Sequence, residues 1–331
     1  LRRNAGNLER VGIFRLVSRA PPCPYSAGAR NIWNRSGMVM ARQARRHTTN
    51  GDSPNLGRDV VDGFGAEWSR FTNEALSEAE LCEMFDSYTE IFPWEDLSEG
   101  AEGFDAGCGS GRWARFFAPR VGLLHCIDAS KAALDVARKT LAGQTNVEFR
   151  HEDLSSLGLT DGSCDFGYCL GVLHHIPDTE DALATCVAKL KPGAPFLVYL
   201  YYDLEGRGWL QRRLFNVATV VRAVVARLPS RAREVAADAL AALVYWPLAR
   251  AARLLEKIGC DPSFVPLFQY RHRSFYVMRN DSLDRFGTRL EKRYSRDEVR
   301  VLLEGAGLEK VEIADGPPWW VAIGWQRQGV G

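Results

Sequence analysis

Two short stretches of this chain carry side chains that could do chemistry. His174 and His175 stand together after an apolar run, and an imidazole that titrates near 6.5 is suited to accept a proton at neutral pH. Further upstream Gly107, Gly109 and Gly111 alternate, with Asp105 just ahead of them. Glycines at that density let the backbone take positive φ and approach a ligand closely. Asp128 follows Gly111 by 17 residues, at a distance where a carboxylate could accept hydrogen bonds from a pair of sugar hydroxyls. A dinucleotide site would need G-x-G-x-x-G, but Arg112 occupies the third glycine position and the spacing is G-x-G-x-G. A nicotinamide-dependent oxidoreductase and a non-catalytic binding or scaffold protein stay open as rivals at this point.

These residues need rigid elements to hold them. Gly103–Ala106 reads as a first strand, and a helix is expected to open near Arg112 with its free N–H groups toward the ligand and to stop at Pro119. Val121–Ile127 is the second strand, ending at Asp128, and Ser130–Ala142 is a helix with Leu134, Ala137 and Leu141 on one face. Val147–Arg150, Cys164–Leu170 and Phe196–Tyr201 read as strands three to five, with a helix from Asp178 between the last two. The alternation implies a doubly wound parallel sheet whose ligands sit beyond the carboxyl ends of the strands. Asp105, Asp128, Asp153 and His174 all fall at such ends.

With that order in place, Asp105-Ala106-Gly107-Cys108-Gly109-Ser110-Gly111 resembles the first motif of the class I S-adenosylmethionine (SAM) dependent methyltransferases. The run from Asp161 to Asp178 is similar to that family through its length, departing at Cys164, where Phe is usual, and just before it at Leu159-Thr160, where Pro-Phe is common. The resemblance covers roughly Phe64 to Gln326. It implies a Rossmann-like α/β fold with a seven-stranded sheet, an N-terminal helical lid, and an α-helical insertion after strand five. It implies SAM as cofactor and S-adenosylhomocysteine as product. Asp105, Gly107, Cys108, Gly109 and Gly111 would then line the cofactor, with Asp128 and Ala129 at the ribose, Asp153 and Leu154 at the adenine, and Leu170 alongside. Trp68 could stack on the ligand or fill the core. His174 and His175 are the catalytic candidates, and Tyr201, Tyr202, Arg271 and His272 the substrate-binding ones. The expected reaction is methyl transfer to a small-molecule acceptor, at oxygen first and otherwise nitrogen or carbon, without a metal.

The chain organises into a basic tail (1–55), a helical lid (56–98), the cofactor core (99–202), a helical insertion (203–275) and a return to the sheet (276–331). The tail carries ten Arg and one acid in its first fifty residues, although the whole chain has 42 basic and 41 acidic side chains. The remainder is therefore net acidic, which argues against nucleic acid as a partner. The tail's composition is that of an organelle transit peptide, and an upstream arm ahead of a start at Met38 or Met40 is the simpler expectation. Eight Cys without metal-site spacing read as free thiols in a reducing, cytoplasmic setting. In the insertion, Leu210, Leu214, Val217, Val221, Val224 and Leu228 form an apolar stripe, and a second helix from Arg231 is expected to kink or break at Pro247, carrying Leu248, Ala251, Leu255 and Ile258. The uncharged run Ala239–Ala249 is too short to span a bilayer. A cap over the substrate, suited to a bulky or apolar acceptor, is the favoured role; lying on a membrane surface is the alternative. Ser295 and Glu298 form a capping box for the last helix.

Overall fold

The computed structural model describes residues 58–71, 76–203, 209–318 and 320–328. The basic tail, and with it the expectations about targeting and start site, lies outside the described residues.

Seven strands form one sheet in the order β3-β2-β1-β4-β5-β7-β6. They are β1 (Glu102–Ala106), β2 (Leu123–Asp128), β3 (Val147–His151), β4 (Phe166–Leu170), β5 (Pro195–Tyr199), β6 (Leu308–Ile313) and β7 (Val321–Gln326). The first five run parallel, and β7 inserts antiparallel between β5 and β6. Every residue of β4 and β5 is buried, as expected for central parallel strands covered on both faces. The first strand looked poor in apolar residues for a core position. Its neighbours explain this: a Cβ on Gly103 would sit 2.2 Å from the Phe166 ring, and one on Gly167 would sit 2.4 Å from the Phe104 ring. The strand glycines make room for phenylalanines on adjacent strands.

Helices cover both faces. On one side α2 (Glu78–Thr89), α3 (Ala114–Phe117) and α4 (Lys131–Thr140) bury Leu81, Phe85, Phe117 and Leu134 against Leu124, Phe166 and Tyr168; Phe117 stacks on Tyr168 at 4.0 Å. On the other side α5 (Thr179–Ala188) and α10 (Arg296–Gly305) bury Leu183, Val187, Val299 and Leu303 against Phe104, Phe196 and Leu308. The capping box at Ser295 and Glu298 is formed. Ser130 caps α4 and Asp178 caps α5.

Three expectations need correction. The helix expected from Arg112 begins only at Ala114 and lasts four residues, because residues 110–113 stay in turns; the loop, not a helix terminus, faces the ligand side. The helix expected to kink or break at Pro247 does not break there. A turn of π-helix at Ala241–Tyr245 joins α7 (Ser230–Leu240) to α8 (Trp246–Lys257), with the Trp246 N–H bonded to the Ala241 carbonyl. Widening the turn by one residue accommodates a proline that has no N–H and would crowd the carbonyl four residues back. The result is a 28-residue helix, Ser230–Lys257, long and apolar enough by length and composition to cross a membrane. Third, the apolar stripe of α6 (Trp209–Val225), in a helix expected to cap the substrate, is exposed at Leu214, Val217 and Val224 and half-buried at Val221.

One helix was not anticipated. α9 (Phe275–Gly287), capped by Ser274, packs against α6, α7 and α1 (Arg58–Arg70). Among the cysteines, Cys108, Cys126, Cys164, Cys169, Cys186 and Cys260 are free, while Cys82 is disulfide-bonded, so the free-thiol expectation fails there. Burial pushes the Cys186 thiol up to about 12, so it packs as an apolar group.

Candidate active site

The order of strands reverses between β1 and β4, and the candidate residues collect at the carboxyl ends on either side of that switch. The Gly107 and Cys108 N–H groups both donate to the Ile127 carbonyl, at 2.8 and 2.9 Å, and Gly111 N–H donates to Cys108 O. Gly107, Gly109 and Gly111 hold φ of +81°, +53° and +74°, which L-residues with a Cβ adopt only under strain. A Cβ on Gly109 would also lie 2.8 Å from Nε1 of Trp68. Gly109→Ala is therefore expected to lower the melting temperature and displace Trp68, at a cost of about 1–3 kcal/mol; thermal unfolding followed by tryptophan fluorescence checks it, and an unchanged protein would mean the loop tolerates a side chain.

Asp128 ends β2 with one carboxylate oxygen accepting from Gly109 N–H and the other from Ser130 N–H, each at 2.8 Å. Burial raises its pKa against the pull of those two bonds. Asp105 is buried, burial raises its pKa well above the carboxylate range, and its Oδ2 has no hydrogen-bond partner. Asp153, after β3, accepts from Ser155 N–H at 2.9 Å through Oδ1, while its Oδ2 is buried without a partner. Leu154 and Leu170 are buried beside these groups' backbone, and the Ala129 carbonyl accepts from His151 Nε2 at 2.9 Å. A hydrogen bond with Cys126, then burial, raise the Cys108 thiol, so it is no nucleophile.

Helix α1 lies over this loop. Trp68 contacts Gly109 and stands 5.1 Å from the Arg112 guanidinium; Phe64 lies 5.0 Å from the His175 ring. Glu67, between them, accepts from Asn280 Nδ2 of α9 at 2.6 Å. Burial, with the nearby Asp284 charge, raises its pKa well above the usual range.

His174 and His175 occupy a single 3-10 turn after β4. His174 is wholly buried, its ring stacks on Tyr201 at 3.9 Å, and neither ring nitrogen has a partner. Burial, then the charges of His175 and Arg293, push its pKa well below 6.5, so the ring is neutral. His175 Nδ1 donates to the Leu290 carbonyl at 2.7 Å, and its Nε2 lies 3.4 Å from Asp284 Oδ1. Burial pushes Asp284 upward, but His175 and the Tyr201 hydroxyl outweigh it and hold the carboxyl below its usual range.

Asp284 and its helix were missed from sequence, although Ser274 followed by Tyr276, Leu283 and Phe286, at steps of seven and three, is a cap and apolar period of the kind that marks a helix. The same helix presents Asp281, which accepts from the Tyr245 hydroxyl at 2.9 Å and pairs with Arg285 at 2.8 Å. Burial raises Tyr88, Tyr199, Tyr201, Tyr245 and Tyr270, so all five phenols stay protonated. Of the substrate-side candidates, the structure brings Tyr201 to His174. The Tyr202 backbone bridges to Tyr294 and its carbonyl accepts from Arg293. Arg271 and His272 both pair with Glu256, at 2.9 and 2.6 Å. Among the described residues no cluster of His, Cys, Asp and Glu is placed to hold a metal ion.

The His175–Asp284 pair ties the core to the cap. Removing one partner of a buried pair leaves the other uncompensated, so Asp284→Asn is expected to lose about 3 kcal/mol. The depressed carboxyl contributes stability that is present above its unfolded value, about 3.9, and is lost as pH falls through the lower folded value. Acid unfolding of the wild type should include this loss and that of Asp284→Asn should not.

Residues 104–198 match the family model described as a methyltransferase domain. Among curated relatives, the ubiquinone biosynthesis O-methyltransferase of Alkalilimnicola ehrlichii is 38% identical over 97 residues, covering 29% of this chain and 39% of the relative. That of Aromatoleum aromaticum is 30% identical over 138 residues, covering 39% of this chain and 58% of the relative. The chain thus spans about half the length of the curated relatives it matches. Among solved structures, the CurJ carbon methyltransferase aligns over 80% of this chain and 59% of its own, at 12% identity and a TM-score of 0.47. Residues 104–198 thus carry the likeness to a methyltransferase domain, within a Rossmann-like seven-stranded sheet. The likeness implies SAM as the cofactor. One acceptor fits that molecule: Asp153 Oδ2 is buried without a donor, and SAM would bring an adenine amino group.

Proposed function

We propose that this chain transfers a methyl group from SAM to an oxygen atom of a small-molecule acceptor, with His174 as the proton acceptor. The observation that carries the proposal is the meeting, at one switch point, of the glycine loop and Asp128 with a neutral imidazole whose nitrogens are unengaged. Bound at the loop, SAM supplies a methyl group already activated by a positively charged sulfur. The protein's own work is then placement and proton removal. With SAM bound, Asp128 would hold the two ribose hydroxyls, Asp153 Oδ2 the adenine amino group, and Asp105 Oδ2 the ammonium. The loop glycines admit the ligand against the backbone. Helix α1, with Trp68 against the loop and Phe64 against His175, excludes water from the space between. Tyr201 stacks on His174 and is itself anchored to Asp284, which fixes the imidazole where an acceptor hydroxyl can deliver its proton. His175 positions rather than reacts, because both its nitrogens face acceptors. The name of the relatives, O-methyltransferases, supports oxygen as the acceptor atom.

The test is binding followed by turnover. Calorimetry with S-adenosylhomocysteine should show saturable heat where NADH shows none. Labelled SAM with a panel of phenols and other hydroxyl compounds should then yield a methylated product in one-to-one ratio with S-adenosylhomocysteine. Heat with NADH alone would favour an oxidoreductase. Binding without transfer to any oxygen, nitrogen or carbon acceptor would favour a binding protein.

A further inference from the structure

The helix Ser230–Lys257 has its amphipathicity inverted. The residues it buries are Ala237, Ala241, Tyr245, Ala249 and Ala252, at steps of four, four, four and three. Its exposed face carries Val235, Ala239, Leu243, Pro247, Ala251, Leu254 and Ile258, in register because the π turn inserts one residue midway. Val235, Leu243, Leu254 and Ile258 are 69%, 77%, 62% and 65% exposed, and Trp246 is 47% exposed beside them. On α6, Leu214, Val217, Val220 and Val224 are exposed in the same way. A soluble helix normally buries its large side chains and exposes polar ones, and an apolar face of this extent marks an interaction surface.

The charges around it point to the partner. Among the described residues from 213 to 258, the exposed charged side chains are Arg213, Arg227, Arg231, Arg253 and Lys257, and none of them is ion-paired to a carboxylate. The acids of these helices are turned to the protein: Glu234 pairs with Arg70, Asp238 with Arg70 and Arg279, and Glu256 with Arg271 and His272. We propose that the outer face of α6, α7 and α8 docks on an anionic bilayer surface, with the apolar stripe in the headgroup–acyl boundary and the arginines on lipid phosphates. A second copy of the chain is a poorer occupant. Whether two copies met parallel or antiparallel across this face, basic residues would confront basic residues. Crossing the membrane does not fit either, since a spanning helix would have to break the Asp238 and Glu256 ion pairs and the Tyr245–Asp281 hydrogen bond. That last bond shows the use of the arrangement. One helix turn presents Leu243, Val244 and Trp246 outward and Tyr245 inward to Asp281 of α9, so the outer face and α9 stand about one helix diameter, ~10 Å, apart.

The test is co-sedimentation of the full chain with vesicles of phosphatidylcholine, with and without phosphatidylglycerol. The anionic vesicles should retain the protein at least about tenfold better, and salt should weaken that retention. Residues 1–50 are arginine-rich and could bind such vesicles themselves, so variants decide. Leu243→Asp with Leu254→Asp, both exposed positions, should reduce binding at least about tenfold with an unchanged melting temperature. Arg253→Glu with Lys257→Glu should do the same on anionic vesicles only. No retention on anionic vesicles, or equal retention of the Leu243→Asp/Leu254→Asp protein, would overturn the proposal. So would a dimer in sedimentation velocity that this double variant dissociates, which would make the second copy the occupant.

Discussion

Asp128→Ala is expected to weaken S-adenosylhomocysteine binding by about 10²–10⁴-fold, because it removes an ionised acceptor for two hydroxyls at roughly 1.5–3 kcal/mol per hydrogen bond. In the ligand-free protein the same carboxylate holds Gly109 N–H and Ser130 N–H, so the variant should also lose about 1–2 kcal/mol of stability through two orphaned donors. Asp128→Asn, which keeps the volume and one acceptor but turns an NH2 toward the second N–H, should recover only part of that stability while its affinity stays low. Calorimetric titration with thermal unfolding checks both. The raised pKa of Asp128 adds a pH signature. The protonated fraction grows as pH falls toward that value, so wild-type affinity should weaken on the acid side, and the alanine variant should show no such dependence. Wild-type binding by Asp128→Ala would remove the ribose assignment and with it the cofactor pose.

His174→Asn should lower kcat by about 10²–10⁴-fold, the range of a positioned general base, while S-adenosylhomocysteine binds as before. The pH profile carries the sign. His174 is pushed below 6.5 by burial and by His175 and Arg293, so it is in the proton-accepting form across neutral pH. The wild-type rate should be flat there and fall only below about pH 6.5, and the asparagine variant should lose that acid limb. A kcat within a few-fold of wild type would mean the acceptor loses its proton to water or to another group, and His174 would then serve only to pack on Tyr201. The distinction from His175 is also measurable. His175→Asn should cost stability, through loss of the Asp284 contact, more than it costs chemistry per folded molecule.

The Rossmann-like order could be read from local signals. Asp128 at the end of β2, Ser130 and Asp178 as caps, and the Ser295–Glu298 capping box each act within a few residues of chain, and turn glycines with positive φ act within one. The segment match over residues 104–198 falls on this same stretch. The insertion was less legible. An apolar stripe at helical spacing says that a helix has two faces but does not say which face meets the protein. In α6 the structure exposes Leu214, Val217 and Val224 of the expected stripe, whereas in α8 Leu248 and Leu255 are half-buried and Ala251 and Ile258 exposed. Proline likewise reads as a break, because the local rule does not include the option of widening the preceding turn.

The sequence by itself determined the order of strands and helices from β1 to β5, the glycine loop, and the carboxylates at the strand ends, since spacing, caps and turns are encoded by neighbours along the chain. Only the tertiary structure decided the partners of the histidines. Asp284 lies far along the chain from His175, on a helix that reaches the site by packing against α1, α6 and α7. Burial and charge from such distant segments, not residue type, make His174 a neutral ring and set His175 Nε2 3.4 Å from Asp284 Oδ1. Protonation responds to dielectric and to charges within a few ångströms, and those are properties of the folded neighbourhood.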